Sequence, residues 1–136
     1  MRLITSTFSV VLALTAQCSG GTPSPTGIRV VTGDWSGPHV ALALTAVGGS
    51  VEYDCAHGGL AAPVSIDRDG YFELAGVHVR ERGGPVRIDE RPDSVPARYS
   101  GRVVGTRMTL RVYAGLDTLG PYELWRDAGR QLFKCL

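Results

Sequence analysis

The sequence has almost no net charge, and this limits the partners that it can have. Its 136 residues include 14 basic and 13 acidic side chains, so the formal net charge at pH 7 is +1. A surface that binds nucleic acid needs a marked excess of Lys and Arg to meet the phosphates. The composition therefore argues against a nucleic-acid partner, and it offers no basic patch for an anionic membrane surface.

Long apolar runs are also lacking. A permanent membrane-spanning helix needs ~20 consecutive apolar residues. The longest apolar stretch, residues 8–16, is much shorter, follows the positive Arg2 and is followed by small residues. This order is typical of a secretory signal peptide. We predict a signal peptide over residues 1–18, export from the cytoplasm, and membrane contact only through a lipid anchor.

Cys18 leaves two alternatives for the exported chain. The run LTAQC ends on Cys18 and resembles the lipobox of bacterial lipoproteins, although Gln17 stands where a small residue is expected. Lipidation of Cys18 would hold the protein on the inner or outer membrane surface of the cell envelope. Ordinary secretion to the periplasm, with cleavage near Ala16 or Gly20, is the alternative. Residues 19–32 begin rich in Gly, Ser, Thr and Pro and are predicted to form a flexible tether.

Cysteine is scarce, with three residues in the chain: Cys18, Cys55 and Cys135. If Cys18 is lipidated or removed, an even pair remains in an oxidising compartment, which favours a Cys55–Cys135 disulfide. Such a bridge would close a loop of about 81 residues, for which chain entropy gives an upper figure of about 4.5 kcal/mol. Two buried thiols are the alternative.

Helical periodicity is absent after the signal, whereas strand signals are frequent. The 18 Gly and 8 Pro residues separate short runs with Val, Thr and Tyr, and several runs alternate apolar and polar side chains. The predicted strands cover residues 39–47, 50–56, 63–67, 71–82 with a break at Gly76, 97–104, 107–113, 118–126 and 131–135. We predict an all-β domain over residues 33–136, an antiparallel meander of about eight strands closed into a β-barrel. A β-sandwich is the alternative.

Residues that could carry catalysis do not form a convincing set. Asp54, Cys55 and His57 look locally like a catalytic cluster. However, Asp54 and Cys55 alternate along a predicted strand, and a disulfide would occupy the Cys55 sulfur. The three histidines, His39, His57 and His78, do not have the spacing of a metal motif. We therefore predict no enzyme, no metal site and no cofactor.

Binding is the more probable use of the polar residues at the ends of strands. Trp35 lies in a predicted turn over residues 33–38, where it would plug one end of the barrel or contribute to a binding rim. His39, His57 and Arg98 complete that candidate rim, beside the irregular loop 83–96 with its three prolines and two glycines. We predict a binding or interaction module of the bacterial cell envelope, whose partner is another envelope protein or a small ligand.

Several short segments together resemble a family of small exported bacterial proteins without an assigned activity. These segments are WSGPH at 35–39, VEYDCAHG at 51–58, GGPV at 83–86, ARYSG at 97–101, MTL at 108–110 and FKCL at 133–136. The resemblance covers most of residues 33–136. It implies a shared fold and the Cys55–Cys135 disulfide, but no activity.

A weaker resemblance is to the membrane-bound lysozyme inhibitors, which are small lipoprotein barrels. The segment Tyr53-Asp54-Cys55 and the segment Ala97-Arg98-Tyr99 match that family. Residues 102–105, RVVG, stand where the family has a Trp and a Lys-Gly pair. This resemblance implies an alternative function, the inhibition of an envelope-directed hydrolase such as lysozyme. An enzyme is the third and least supported alternative.

Overall fold

The computed structural model describes residues 27–85 and 87–135, and these residues form strands and turns without a helix. The ten strands are β1 Arg29–Val31, β2 Gly33–Gly37, β3 Val40–Leu44, β4 Gly49–Tyr53, β5 Ala56–Leu60, β6 Val64–Ile66, β7 Tyr71–Arg80, β8 Asp93–Val104, β9 Arg107–Ala114 and β10 Asp117–Arg126. Because the described part of the chain contains no helix, it holds no helical segment of the length and apolarity that crossing a bilayer requires.

Eight of these strands form a closed antiparallel barrel in the order β10-β2-β3-β4-β5-β7-β8-β9. The barrel closes where β10 pairs with β2, through Trp125 opposite Ser36 and Arg126 opposite Trp35. Closure gives the edge backbone groups of these two strands partners in each other, which is the physical advantage of a barrel over an open sheet. The predicted all-β fold and eight-stranded barrel are confirmed.

The inward faces of the long hairpin β8–β9 and of β3 supply half of the residues in the core cluster. Alternation along β9 places Met108, Leu110 and Val112 inside, and all three are fully buried. Leu42 of β3 and Tyr99 of β8 pack into the same cluster. The interior of the barrel is therefore filled with side chains over most of its length, which an eight-stranded barrel is narrow enough to allow.

Strand β2 corrects the prediction of a turn over residues 33–38. Residues 33–37 pair with β3 from Gly33 opposite Leu44 to Gly37 opposite Val40. The glycines suggested a turn, but Gly37 lies in a strand. The position requires glycine because a Cβ there would collide with the carbonyl oxygen of Glu123. The glycine thus permits close approach of two strands.

Strand β5 was missed by the sequence analysis, which extended the preceding strand to residue 56. The chain leaves β4 at Tyr53, bends through Asp54 and Cys55, and returns as β5. The glycines of β5 concealed the strand. At Gly58 a Cβ would collide with the Tyr99 hydroxyl, so this glycine is also required by packing rather than by a turn.

A small sheet of β1 and β6 lies outside the barrel and corrects two further expectations. Residues 63–67 were predicted as a barrel strand, whereas β6 pairs only with β1, through Val31 opposite Val64. Strand β1 itself lies within residues 19–32, which were predicted as a tether. Val31 and Ile66 join the core cluster, so burial of their side chains holds this sheet against the barrel.

Strand β7 is continuous where a break was predicted, and strand β8 is longer than predicted. Strand β7 runs without a break through Gly76, which pairs with Leu60 on one side and Ala97 on the other. Strand β8 begins at Asp93, inside the segment 83–96 that was predicted as a loop. The pairing of β7 with β8 over ten positions explains both differences. A long ladder stabilises local sequence that is weakly strand-forming on its own.

The prediction of a last strand over residues 131–135 is wrong. After β10 the chain makes an isolated parallel bridge between Pro38 and Gln131. The barrel is already closed by β10 and β2, so that pair offers no unpaired edge to a further strand. Residues 131–135, which we call the C-terminal clasp, instead cross the end of the barrel near His39.

Candidate functional site

The two ends of the barrel differ in how they are closed. One end, the closed end, is covered by the β1–β6 sheet beside Trp35 and the turn between β8 and β9. The other end, the open end, contains the β2–β3 turn at His39, the β4–β5 bend at Asp54 and the last residue of β7, Arg80. The C-terminal clasp borders the open end.

A cavity of about 240 Å³ lies at the open end, and we call it the mouth cavity. Its lining combines aromatic, apolar and charged side chains: His39, Tyr53, Asp54, Cys55, Ala56, His78, Arg80, Leu119 and Tyr122. Because the His39 side chain is 59% exposed, the cavity is reached from solvent. Four of the nine lining side chains are aromatic rings, which is typical of a small-molecule site.

Strand alternation places the two deepest polar residues of the cavity. Tyr53 is the last residue of β4 and His78 lies on the inward face of β7, and each is 5% exposed. Their ring centroids are 5.3 Å apart at an interplanar angle of 59°. The Tyr122 ring lies 5.9 Å from the Tyr53 ring. The Tyr53 ring therefore makes tilted contacts with both other rings, and such contacts between aromatic rings are stabilising.

An irregularity in β10 brings two more side chains into the mouth cavity. Leu119 pairs with Val112, and Tyr122 pairs with Leu110. Two residues of β10 therefore lie opposite a single residue of β9, which is a β-bulge. Val112 and Leu110 both point inward, and their partners therefore do so as well. A β-bulge that redirects side chains in this way is common beside binding sites.

Two buried polar atoms of the cavity lining have no hydrogen-bond partner among the described residues. They are the hydroxyl oxygen of Tyr53 and Nδ1 of His78, which we call the unpartnered pair. Tyr99, in the same core, differs because its hydroxyl donates to the carbonyl oxygen of Val77 at 2.7 Å. A buried polar group without a partner costs about 1–3 kcal/mol, so such groups are uncommon unless a ligand or water serves them.

The deep groups of the mouth cavity are uncharged at neutral pH. Burial raises the pKa of Tyr53, and the hydroxyl of the neighbouring Tyr99, which lies near that of Tyr53 but outside hydrogen-bond geometry, raises it further, followed by Tyr122. Burial also raises the pKa of Tyr122. Burial lowers the pKa of His78, and the positive charge of Arg80 acts in the same direction. Tyr53 is therefore a hydrogen-bond donor, and the neutral His78 ring has one donor and one acceptor nitrogen.

Asp54 connects the rim of the cavity to the C-terminal clasp. Its Oδ2 lies 2.6 Å from Nδ1 of His39, and its Oδ1 accepts a hydrogen bond from the backbone N–H of Phe133 at 2.9 Å. The bond from Phe133 is the main cause that lowers the pKa of Asp54, and His39 and Lys134 lower it further. Asp54 is therefore an ionised anchor for the clasp.

The clasp is also held by a disulfide and by Lys134. Cys55 and Cys135 are bonded, with their Cα atoms 5.1 Å apart, as the sequence analysis predicted. Nζ of Lys134 lies 2.6 Å from Oε2 of Glu52 and 3.4 Å from Oε1 of Glu81. These ion pairs are partly exposed and contribute little each. The covalent bond is the strongest attachment of the clasp.

The structure separates the four residues predicted as a binding rim. His39 and His57 both lie at the open end, where His57 Nδ1 is 2.7 Å from Oε1 of Glu81. Trp35 is not a rim residue, because it is 1% exposed and belongs to the closed end. The interpretation of Trp35 as a plug of the barrel agrees with this position.

Arg98 is also not a rim residue. It lies on the outer wall of β8, where its guanidinium is 2.7 Å from Oε2 of Glu73 and 4.3 Å from the ring centroid of Tyr113. Its place midway along a strand sets it apart from the turns that form the open end. The predicted lipidation site, Cys18, lies outside the described residues.

The local cluster of Asp54, Cys55 and His57 does not assemble. Asp54 pairs with His39, and the Cys55 sulfur is bonded to Cys135. The three histidines are placed at or near one end of the barrel. Even so, the described part of the chain contains no group of three or more His, Cys, Asp or Glu side chains placed to hold a metal ion.

His78, Tyr122 and Tyr53 were not predicted as site residues. A signal was present at His78, which shares the inward register of β7 with Phe72. A histidine on an otherwise apolar face is unusual enough to mark a site. No comparable signal was present for Tyr122, because its inward direction depends on the bulge in β10.

Comparison of the chain with protein-family models, with curated proteins and with solved structures finds no match.

Proposed function

We propose that this protein is an exported binding module of the bacterial cell envelope and that it binds a small ligand in the mouth cavity. The observation that carries the proposal is the unpartnered pair, Tyr53 Oη and His78 Nδ1, which lines a cavity reached from solvent. Buried donors and acceptors at the floor of a cavity give a ligand both affinity and orientation.

The proposal of export rests on the sequence and is compatible with the disulfide. The signal-like N-terminus predicts passage out of the cytoplasm, and the Cys55–Cys135 bond belongs to an oxidising compartment. Both alternatives for Cys18, a lipid anchor or ordinary secretion, place the mouth cavity outside the cytoplasm.

Native mass spectrometry of the protein purified from its own envelope tests this function. The denatured mass gives the cleavage site, any lipid on Cys18 and the loss of two hydrogens for the disulfide. We expect the native mass to exceed the denatured mass by one small molecule. Tyr53→Phe should lower the bound fraction, whereas Tyr71→Phe, the same change on the outer wall, should leave it unchanged. A bare protein, or a ligand indifferent to Tyr53→Phe, would contradict the proposal.

A second candidate function is the inhibition of an envelope-directed hydrolase through a protein interface. It is favoured by a groove of about 710 Å³ that is lined by residues 79–85, residues 90–93 and Cys135 of the clasp. It is also favoured by Ile88, whose side chain is fully exposed. A second polypeptide in the native spectrum, lost in the variant Ile88→Asp, would support this function. The resemblance to lysozyme inhibitors makes lysozyme the first enzyme to assay.

A further inference from the structure

We propose that the mouth cavity takes a small, uncharged, planar ring compound that accepts a hydrogen bond from Tyr53. This inference rests on the proposed function, because it names the ligand class of the same site. Three features of the cavity support it: its volume, its aromatic walls and the ion pairing of the charged groups around it.

The size of the cavity limits the ligand to about one ring. Its volume of about 240 Å³ corresponds to roughly eight water molecules at about 30 Å³ each. Sites for drug-sized ligands occupy about 300–1,000 Å³. A single ring with one short substituent therefore fits, whereas a nucleotide, a peptide or a lipid chain does not.

The walls of the cavity favour a planar ligand. The rings of Tyr53, His78 and Tyr122 stand at 5.3 and 5.9 Å from one another and present aromatic faces and edges. Leu119 and Ala56 add apolar surface. A flat ring can make offset or edge-to-face contacts with such walls, which stabilise a complex beyond the area that they bury.

The charged groups around the cavity already have partners of opposite charge. Arg80 forms ion pairs with Asp117 and with Asp93. Asp54 is bound by His39 and by the backbone N–H of Phe133. A ligand charge placed deeper, beside the neutral Tyr53 and His78, would lose hydration without gaining a counter-ion. An uncharged ligand avoids this cost.

The hydrogen-bonding groups of the cavity define where a polar substituent must sit. The Tyr53 hydroxyl donates, because its pKa is raised by burial and it stays protonated. Nδ1 of His78 either donates or accepts, depending on the tautomer. A carboxamide on a ring satisfies the unpartnered pair. Its oxygen accepts from the Tyr53 hydroxyl, and either its NH₂ group donates to Nδ1 of His78 or its oxygen also accepts from Nδ1–H.

Three probes of nearly equal size and different charge test the inference: benzamide, benzoate and benzamidinium. Titration calorimetry or ligand-observed NMR on the mature protein with its disulfide intact gives the three dissociation constants. We expect benzamide to bind at least about tenfold more tightly than either ion, because neither ion finds an unpaired counter-charge. Tyr53→Phe should weaken benzamide by about two- to tenfold through loss of one hydrogen bond. Tyr71→Phe is the matched control and should change nothing.

The outcomes separate the ligand class from the site. If benzoate or benzamidinium binds as tightly as benzamide and is sensitive to Tyr53→Phe, the mouth remains the binding site and the uncharged class is wrong. If all three probes bind without sensitivity to Tyr53→Phe, both proposals are contradicted. If none binds, the ring class is wrong, and the native mass spectrum decides on the site. Circular dichroism and the melting temperature establish that Tyr53→Phe is folded.

Discussion

The two ends of the barrel bury aromatic side chains to nearly the same extent, but they differ in whether the polar atoms of these side chains have hydrogen-bond partners. At the closed end, Trp35 is 1% exposed and its Nε1–H donates to the carbonyl oxygen of Thr32 at 3.4 Å. At the open end, Tyr53 and His78 are 5% exposed, and each has a buried polar atom with no partner within residues 27–85 and 87–135. Satisfied burial is typical of packing, whereas buried polar atoms without a partner beside a cavity are the feature on which the proposed ligand site rests.

The largest difference between the ends should appear when a large side chain is removed from each. Trp35→Ala should lower the free energy of unfolding by about 3–5 kcal/mol, because it leaves a cavity in the packed closed end. Leu119→Ala at the half-buried wall of the mouth should cost clearly less. Urea denaturation of both variants measures the two losses. Equal losses would mean that the open end is packed as tightly as the closed end.

The disulfide is the next largest contribution, and it acts at the open end. Replacing Cys55 and Cys135 together by Ser should lower the free energy of unfolding by about 2–4 kcal/mol. The bond joins residues 80 positions apart and holds the clasp, whose other contacts are surface hydrogen bonds and ion pairs.

Thermal melting in oxidising and reducing buffer measures the contribution of this bond. The wild type in reducing buffer should behave like the double variant, and the double variant should be indifferent to the reductant. A wild type that is equally stable in both buffers would exclude the disulfide as the attachment of the clasp.

A matched pair of tyrosine variants sharpens the comparison within one core. Tyr99→Phe should cost about 1 kcal/mol, because it removes the hydrogen bond to the carbonyl oxygen of Val77. Tyr53→Phe should cost nothing or stabilise slightly, because it removes a buried hydroxyl that has no partner within the described residues. Equilibrium unfolding of the ligand-free proteins compares the two. A loss at Tyr53 as large as that at Tyr99 would show that its hydroxyl is already bonded.

The smallest expected effect is a dependence of stability on pH through Asp54. Its pKa in the folded protein lies below the value of about 3.9 for an unfolded chain. The stabilisation by the carboxylate is therefore present above about pH 4 and is lost as the pH falls through the lowered pKa of the folded state. The stability advantage of the wild type over Asp54→Asn should shrink in that acidic range.

Denaturation midpoints from pH 7 to pH 2 measure this advantage. The control is Asp69→Asn, a change at an exposed carboxylate in the turn between β6 and β7, which lies beside Val103 at the closed end. If the stability difference between the wild type and Asp54→Asn stays constant down to pH 2, Asp54 is not an ionised anchor of the clasp.

Local pattern was sufficient to predict the strands that alternate cleanly. The runs that became β3 and β9 were found because their apolar residues recur with period two. Strands β2 and β5 were missed because their glycines imitate turns. Those positions need glycine because atoms from distant segments come too close for a Cβ. These atoms are the carbonyl oxygen of Glu123 at Gly37 and the hydroxyl of Tyr99 at Gly58.

The site was less predictable than the fold, because it depends on contacts between remote strands. The disulfide could be predicted by counting cysteines. His39 was predicted at a binding rim and lies at the open end, but its partner Asp54 was assigned to a strand rather than to a bend. The lack of a partner for Tyr53 becomes visible only when β4, β7 and the bulge of β10 are assembled. No local pattern carries that information.

The most direct test of the account follows the five tyrosines of the chain by NMR while benzamide is added. With tyrosine-ring labelling, the account predicts that Tyr53 and Tyr122, which line the mouth cavity, show the largest shifts. Tyr71 and Tyr113, whose rings lie under arginines of the outer wall, should stay unchanged. Shifts confined to Tyr71 or Tyr113, or spread equally over all five rings, would contradict the claim that the open end is the binding site.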